Sequence, residues 1–159
     1  WGKAEPIYVT AYRRAKINHK DASWRFPKGA TEGKVGVVKN IYFSNIKCTS
    51  ENGVYVSGES QDKIQNIVFD NVDVFINKST NIQGGIYDRR PANVEGFVKG
   101  TTAGFYFEKA KKIVMRNCSV QWGDNKPVYF SKAIRKINVS ILENINFSGS
   151  SAFPAKAKL

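Results

Sequence analysis

The stretch Asn66-Ile67-Val68-Phe69-Asp70-Asn71-Val72-Asp73-Val74 decides how the chain is read. In an extended chain Ile67 and Phe69 fall on one side, Val68 and Asp70 on the other. After an offset at Asn71 the apolar series resumes with Val72 and Val74. Alternation of this length marks a half-buried strand, and the offset marks a bend or bulge. The same layout returns in Asn40-Ile41-Tyr42-Phe43-Ser44-Asn45-Ile46-Lys47-Cys48 and in Lys112-Ile113-Val114-Met115-Arg116-Asn117-Cys118-Ser119-Val120. Ser140-Ile141-Leu142-Glu143-Asn144-Ile145-Asn146-Phe147 is a looser copy.

The asparagine before the second apolar pair serves as a ruler. It stands at Asn45, Asn71, Asn117 and Asn144, in steps of 26, 46 and 27 residues. The middle step reads as two turns of 23. A period in the twenties is the mark of a stacked-repeat architecture. The columns are β-branched and aromatic rather than leucine-rich, which suits strands. They predict an all-β fold, a right-handed single-stranded parallel β-helix in which each turn lays a strand on the one before. Stacked asparagines at the bend would hydrogen-bond along the axis. A Greek-key sandwich would explain the spacing but not the match in residue type.

The 159 residues form one domain on length, 1–159. At this period they hold about six turns, roughly 30 Å of stack. A solenoid needs capped ends, yet Trp1-Gly2-Lys3-Ala4-Glu5-Pro6 runs directly into Ile7-Tyr8-Val9. This reads as the C-terminal part of a longer chain, with an open first turn able to meet the missing N-terminal part or another chain. No apolar segment is long enough for a signal peptide or a membrane span, so no membrane partner is expected.

Lys and Arg number 25 against 13 Asp and Glu, a net charge of +12. Such a surplus favours polyanionic partners. The basic residues are spread along the chain without a long tail or a helical recognition pattern, which argues against nucleic acid and leaves an anionic polysaccharide, an acidic membrane face or plain solubility as readings of the charge. Two cysteines make no disulfide framework. In this register Cys48 and Cys118 lie three turns apart, about 14 Å. Both are expected to be unpaired thiols in inward columns.

Two loops carry candidate binding residues. The first, 13–34, holds Arg13, Arg14, His19 and Trp24, with Arg25 and Phe26 beside them. Trp24 and Phe26 are equally readable as folding back on the stack. The second breaks the register: Gly84-Gly85-Ile86-Tyr87-Asp88-Arg89-Arg90-Pro91 reads as an inserted loop. Tyr87, Asp88, Arg89 and Arg90 form a dense polar set there. The plainer reading is that Asp88 pairs with an arginine to brace the loop. One His and two distant Cys give no metal-ligand pattern, and no cofactor motif is present. Glycoside hydrolysis needs two facing carboxylates. Asp70 and Asp73 have nothing acidic on the neighbouring rungs, so no catalytic residue is assigned.

The runs Glu5 to Tyr12 and Gly36 to Ile46 resemble the C-terminal part of polygalacturonase-type enzymes, glycoside hydrolase family 28. Ser50-Glu51-Asn52-Gly53-Val54-Tyr55, the Gly84 to Pro91 run and Arg116 to Gly123 are similar to bacterial members. The resemblance implies a secreted or periplasmic, metal-independent, inverting hydrolase of pectin-like, uronic-acid-containing polysaccharide. The family's aspartates sit in Asn-Thr-Asp and paired-Asp motifs followed by His-Gly, and none of these occurs here. Its Arg-x-Lys motif would fall where Tyr8 and Thr10 stand. The expected function is therefore the β-helix part of such a hydrolase, starting just downstream of the catalytic turns. The alternatives are a non-catalytic module that binds acidic glycan and a structural solenoid docked on a partner chain.

Overall fold

The computed structural model describes residues 5–13, 34–90, 92 and 94–153. They are nearly all β. The strands are β1 (Tyr8–Ala11), β2 (Val38–Ser50), β3 (Val54–Gly58), β4 (Ile64–Ile76), β5 (Ile86–Asp88), β6 (Phe97–Lys99), β7 (Phe105–Arg116), β8 (Ser119–Trp122) and β9 (Ile134–Ile145). Among the described residues the only helical element is a short 3-10 turn, Gln61–Lys63. Seven strands form one sheet in the order β1-β3-β7-β4-β2, with β8 on β4 and β9 on β7, and every pairing is parallel. The other two, β5 and β6, form a separate antiparallel pair.

The long strands bend, and their segments align in three stacks. The first contains Tyr8, Tyr55, Tyr106 and Arg135 in register. The second aligns Ile41, Ile67, Ile113 and Leu142. The third aligns Cys48, Val74 and Val120. The organising stretch behaves as its alternation predicts: Ile67, Phe69, Val72, Val74 and Ile76 are at most 1% exposed. Phe43 stacks on Phe69 with centroids 5.2 Å apart. Gly53, just before β3, can be nothing larger; a Cβ there would lie 1.9 Å from the Ala103 carbonyl oxygen.

The bend between the second and third stacks is made by asparagine. Asn45, Asn71, Asn117 and Asn146 have φ of 55°, 56°, 50° and 53°. Asparagine tolerates this left-handed region better than other non-glycine residues. Its amide also ties one rung to the next. Asn71 Nδ2 donates to Asn45 Oδ1 at 2.7 Å, and Asn146 Nδ2 to Asn117 Oδ1 at 3.2 Å. Asn117 donates instead to Asp70 Oδ1, at 3.4 Å. A second pair, Asn40 and Asn66, repeats the device at φ of 59° and 52° with a 2.9 Å amide bond. Lys109, at φ 50°, occupies an equivalent bend opposite Asn138.

Four expectations need correction. The 46-residue step is one rung, not two, since Ile67 pairs directly with Ile113 and Asp73 with Ser119. The extra length lies in 77–104, which carries the β5–β6 hairpin. The described residues therefore make four rungs rather than about six. The fourth member of the asparagine file is Asn146, not Asn144. Asn144 lies in register with Met115, Phe69 and Phe43, in a column that is otherwise apolar. The last rung is exposed on one side, so a polar residue costs little in that column; Lys136 in register with Phe107 and Val56 is a second case. Cys48 and Cys118 are then two rungs apart, not three, and both are free, Cys118 being buried.

Candidate functional site

The β5–β6 hairpin folds over the outer side of the first stack. Two files of outward residues run up that side: Tyr8, Tyr55, Tyr106 and Arg135, and beside them Thr10, Ser57 and Glu108. Tyr87 from β5 lies flat on Tyr55, with centroids 4.5 Å apart and planes 12° apart. Its hydroxyl accepts the Ala103 N–H at 3.1 Å. Tyr87 is 1% exposed, and burial raises its pKa well above the ordinary phenol value.

Arg89 follows Tyr87 into the same layer. Its Nε donates to the Tyr55 hydroxyl at 2.6 Å, and it forms an ion pair with Glu108. Glu108 also accepts from Ser57 Oγ at 3.2 Å and from the Tyr106 hydroxyl at 3.3 Å. The Tyr12 ring lies 5.2 Å from the guanidinium, and burial pushes the Tyr12 hydroxyl up to about 12. Arg89 and Glu108 side chains are only 8% and 12% exposed. A buried pair with this many partners is satisfied, and its charges are unavailable to a ligand.

Asp88 and Arg90 face outward. Arg90 Nε donates to Asp88 Oδ1 at 2.9 Å and its terminal nitrogen to Oδ2 at 2.6 Å. The Arg90 backbone N–H adds a third bond to Oδ1 at 3.0 Å. These bonds hold the Asp88 carboxyl below its usual pKa. The guanidinium also lies 4.0 Å from the Phe97 ring centre. The brace reading of Asp88 thus describes the Asp88–Arg90 pair, while Arg89 turns inward to Glu108.

Beneath the hairpin Glu5 accepts from Asn52 Nδ2 at 3.3 Å. Burial first, then the Asp88 charge, raises its pKa to about 7. One carboxyl pushed up beside another pushed down is the pattern of an acid–base pair. Both Asp88 oxygens are already taken by Arg90, however, so the pair lacks a free base. Glu51 at the other side of the turn shows the opposite shift. Burial alone would raise its pKa, but Lys78, Ser79 and Thr80 outweigh it and hold the carboxyl at about 2. Ser79 N and Oγ donate at 2.8 and 2.6 Å.

Of the residues singled out in the sequence, Tyr87, Asp88, Arg89 and Arg90 come together on the hairpin, as one packed assembly. Arg13 is exposed at the end of the β1 segment. Arg14 and Trp24 lie outside the described residues, as does His19. Sequence reasoning missed Tyr55, Ser57, Tyr106 and Glu108. The available signal was the near-continuous apolar character of Val54-Tyr55-Val56 and Phe105-Tyr106-Phe107, which is how a strand buried on both faces reads.

The outer side of the third stack is different. Lys47, Thr49, Asp73, Phe75, Ser119 and Gln121 line an open groove of about 320 Å³ there. No group of His, Cys, Asp and Glu suited to a metal ion occurs among the described residues. Nor is any helix among them long and apolar enough to cross a membrane. Comparison with protein-family models, curated proteins and solved structures gave no match.

Proposed function

We propose that the chain is a right-handed single-stranded parallel β-helix of the polygalacturonase type, which holds uronic-acid-containing polysaccharide without cleaving it. The observation that carries this reading is the in-register parallel stacking of Ile41, Ile67, Ile113 and Leu142, turned each time by asparagine at positive φ. That arrangement is what a β-helix with an asparagine ladder requires. The resemblance to family 28 then points to pectin-like substrates and to a secreted or periplasmic setting. The basic surplus supports an acidic polymer, and Lys39, Lys47, Lys111, Arg116 and Lys136 are all exposed.

Holding rather than cleaving is favoured by the first stack. Tyr8 and Thr10 stand where the family's Arg-x-Lys motif would fall, and Tyr8 donates its hydroxyl to the Asp88 carbonyl at 2.7 Å. The hairpin therefore occupies the side on which the resemblance would seat substrate. In the first rung Val38, Ile41, Phe43, Ile46 and Cys48 form an apolar file that is only half-buried.

Two assays test the proposal. The protein should be retained on immobilised polygalacturonate at low salt. It should elute between about 0.1 and 1 M salt, as the Debye length falls from about 10 Å to about 3 Å. It should release no reducing ends from that polymer. Failure to bind at low salt overturns the glycan reading, and steady release of reducing ends overturns the non-catalytic clause.

A further inference from the structure

The first stack's outer charged groups are spent on one another, whereas those of the third stack are only partly so. In the third stack Lys47, Asp73 and Ser119 form one outward file, and Thr49, Phe75 and Gln121 form the next. Ser119 Oγ donates to Asp73 Oδ1 at 2.5 Å, which fixes the carboxylate on the groove floor. Lys47 stands one rung from Asp73 and makes no ion pair among the described residues. Phe75 is 37% exposed, with a hydroxyl-bearing neighbour on one side and an amide on the other.

We propose that this groove is the seat of a uronic-acid oligosaccharide, with Phe75 as platform and Lys47 as the contact for a sugar carboxylate. A pyranose ring has an apolar C–H face and a rim of hydroxyls. The C–H face packs on the Phe75 ring, and the rim meets Thr49, Gln121 and the free oxygen of Asp73. These hydroxyls and amides lie on neighbouring strands about 4.8 Å apart, and Gln121 lies two residues further along its strand than Ser119, the register partner of Lys47 two rungs away, so Lys47 and Gln121 stand about 12 Å apart. That span suits a short oligosaccharide lying across the rungs. The mix is the usual one for a small-ligand site, an apolar wall with a few placed polar groups. A neutral sugar would leave Lys47 unpaired, which makes a uronic acid the better fit.

The inference rests on the glycan-holding function proposed above, and calorimetric titration of the full chain with short galacturonate oligomers separates the two. The wild type should bind. Phe75→Ser and Lys47→Gln should each weaken binding about tenfold or more, the size expected for losing one ring platform or one charge-assisted contact. Lys132→Gln, an exposed lysine elsewhere, should leave it unchanged. Lys47→Gln alters a surface charge only, so it remains informative if Phe75→Ser perturbs folding. Binding of the wild type with no loss in either variant overturns the site while leaving the general function standing. Equal affinity for the carboxyl-reduced, neutral oligomer overturns the role of Lys47. No binding by the wild type overturns both.

Discussion

The outer sides of the first and third stacks are built from the same alternating strands and end in opposite states. On the first, the β5–β6 hairpin covers Tyr55 and Tyr106, and Arg89 closes on Glu108. On the third, nothing among the described residues covers Phe75, and Lys47 has no ion partner there. Strand register alone decides which residues face outward. An insertion between two rungs decides whether those residues become a second core or stay a surface. Polar residues on a strand exterior are therefore poor guides to a binding site until the insertions are located.

Cutting the Arg89–Glu108 pair should break the contrast most severely. Glu108→Ala leaves a buried guanidinium without its counter-charge and should cost about 3–5 kcal/mol, read by chemical denaturation. Asp73→Ala on the open side should cost no more than about 0.5 kcal/mol by the same measurement. Tyr87→Phe comes next. It leaves the buried Ala103 N–H unpaired, for a loss of about 1–3 kcal/mol.

Titration sharpens the comparison further. Glu5 has a folded pKa raised to about 7 from 4.5, so the folded protein binds its proton more tightly than the unfolded chain does. The stability this contributes is complete below about 4.5 and is lost as pH rises toward 7. Glu51 runs the other way: its pKa is lowered to about 2, so its contribution is present above 4.5 and lost as pH falls toward 2. Denaturation midpoints across pH 2 to 8 should show both slopes. Glu5→Gln should flatten the upper one and Glu51→Gln the lower.

The smallest effect is expected at a bend. Lys109 holds φ 50° where the equivalent position on the next rung is Asn138. Lys109→Asn should stabilise by about 0.5–1 kcal/mol, because asparagine enters the left-handed region at lower cost. A loss of stability would mean that the lysine side chain contributes more than its backbone costs.

Much of the architecture could be read from residue type. The Ile67–Phe69 and Val72–Val74 alternation, the asparagine file at Asn45, Asn71 and Asn117, and the unpaired thiols all follow from short-range pattern and rung spacing. The turn count did not, because a step of 46 residues fits two short turns as well as one turn with an insertion; only the pairing of Ile67 with Ile113 separates them. Asn144 misled for a related reason. The last rung is open on one side, so its column rules relax, and a two-residue shift in the asparagine file cannot be seen in the sequence. The hairpin cluster was half legible. Tyr87, Asp88, Arg89 and Arg90 announced themselves as a dense set, but their partners Tyr55, Ser57 and Glu108 lie 19 to 34 residues away along the chain. The groove around Phe75 carried no local signal, because its six residues come from three strands.

Backbone chemical-shift mapping during titration with short galacturonate oligomers tests the contrast between the two sides most directly. The account predicts shifts concentrated at Lys47, Thr49, Asp73, Phe75, Ser119 and Gln121, with Tyr8, Tyr87, Asp88 and Arg89 unmoved. Shifts centred on the hairpin, with the Phe75 side silent, would contradict it.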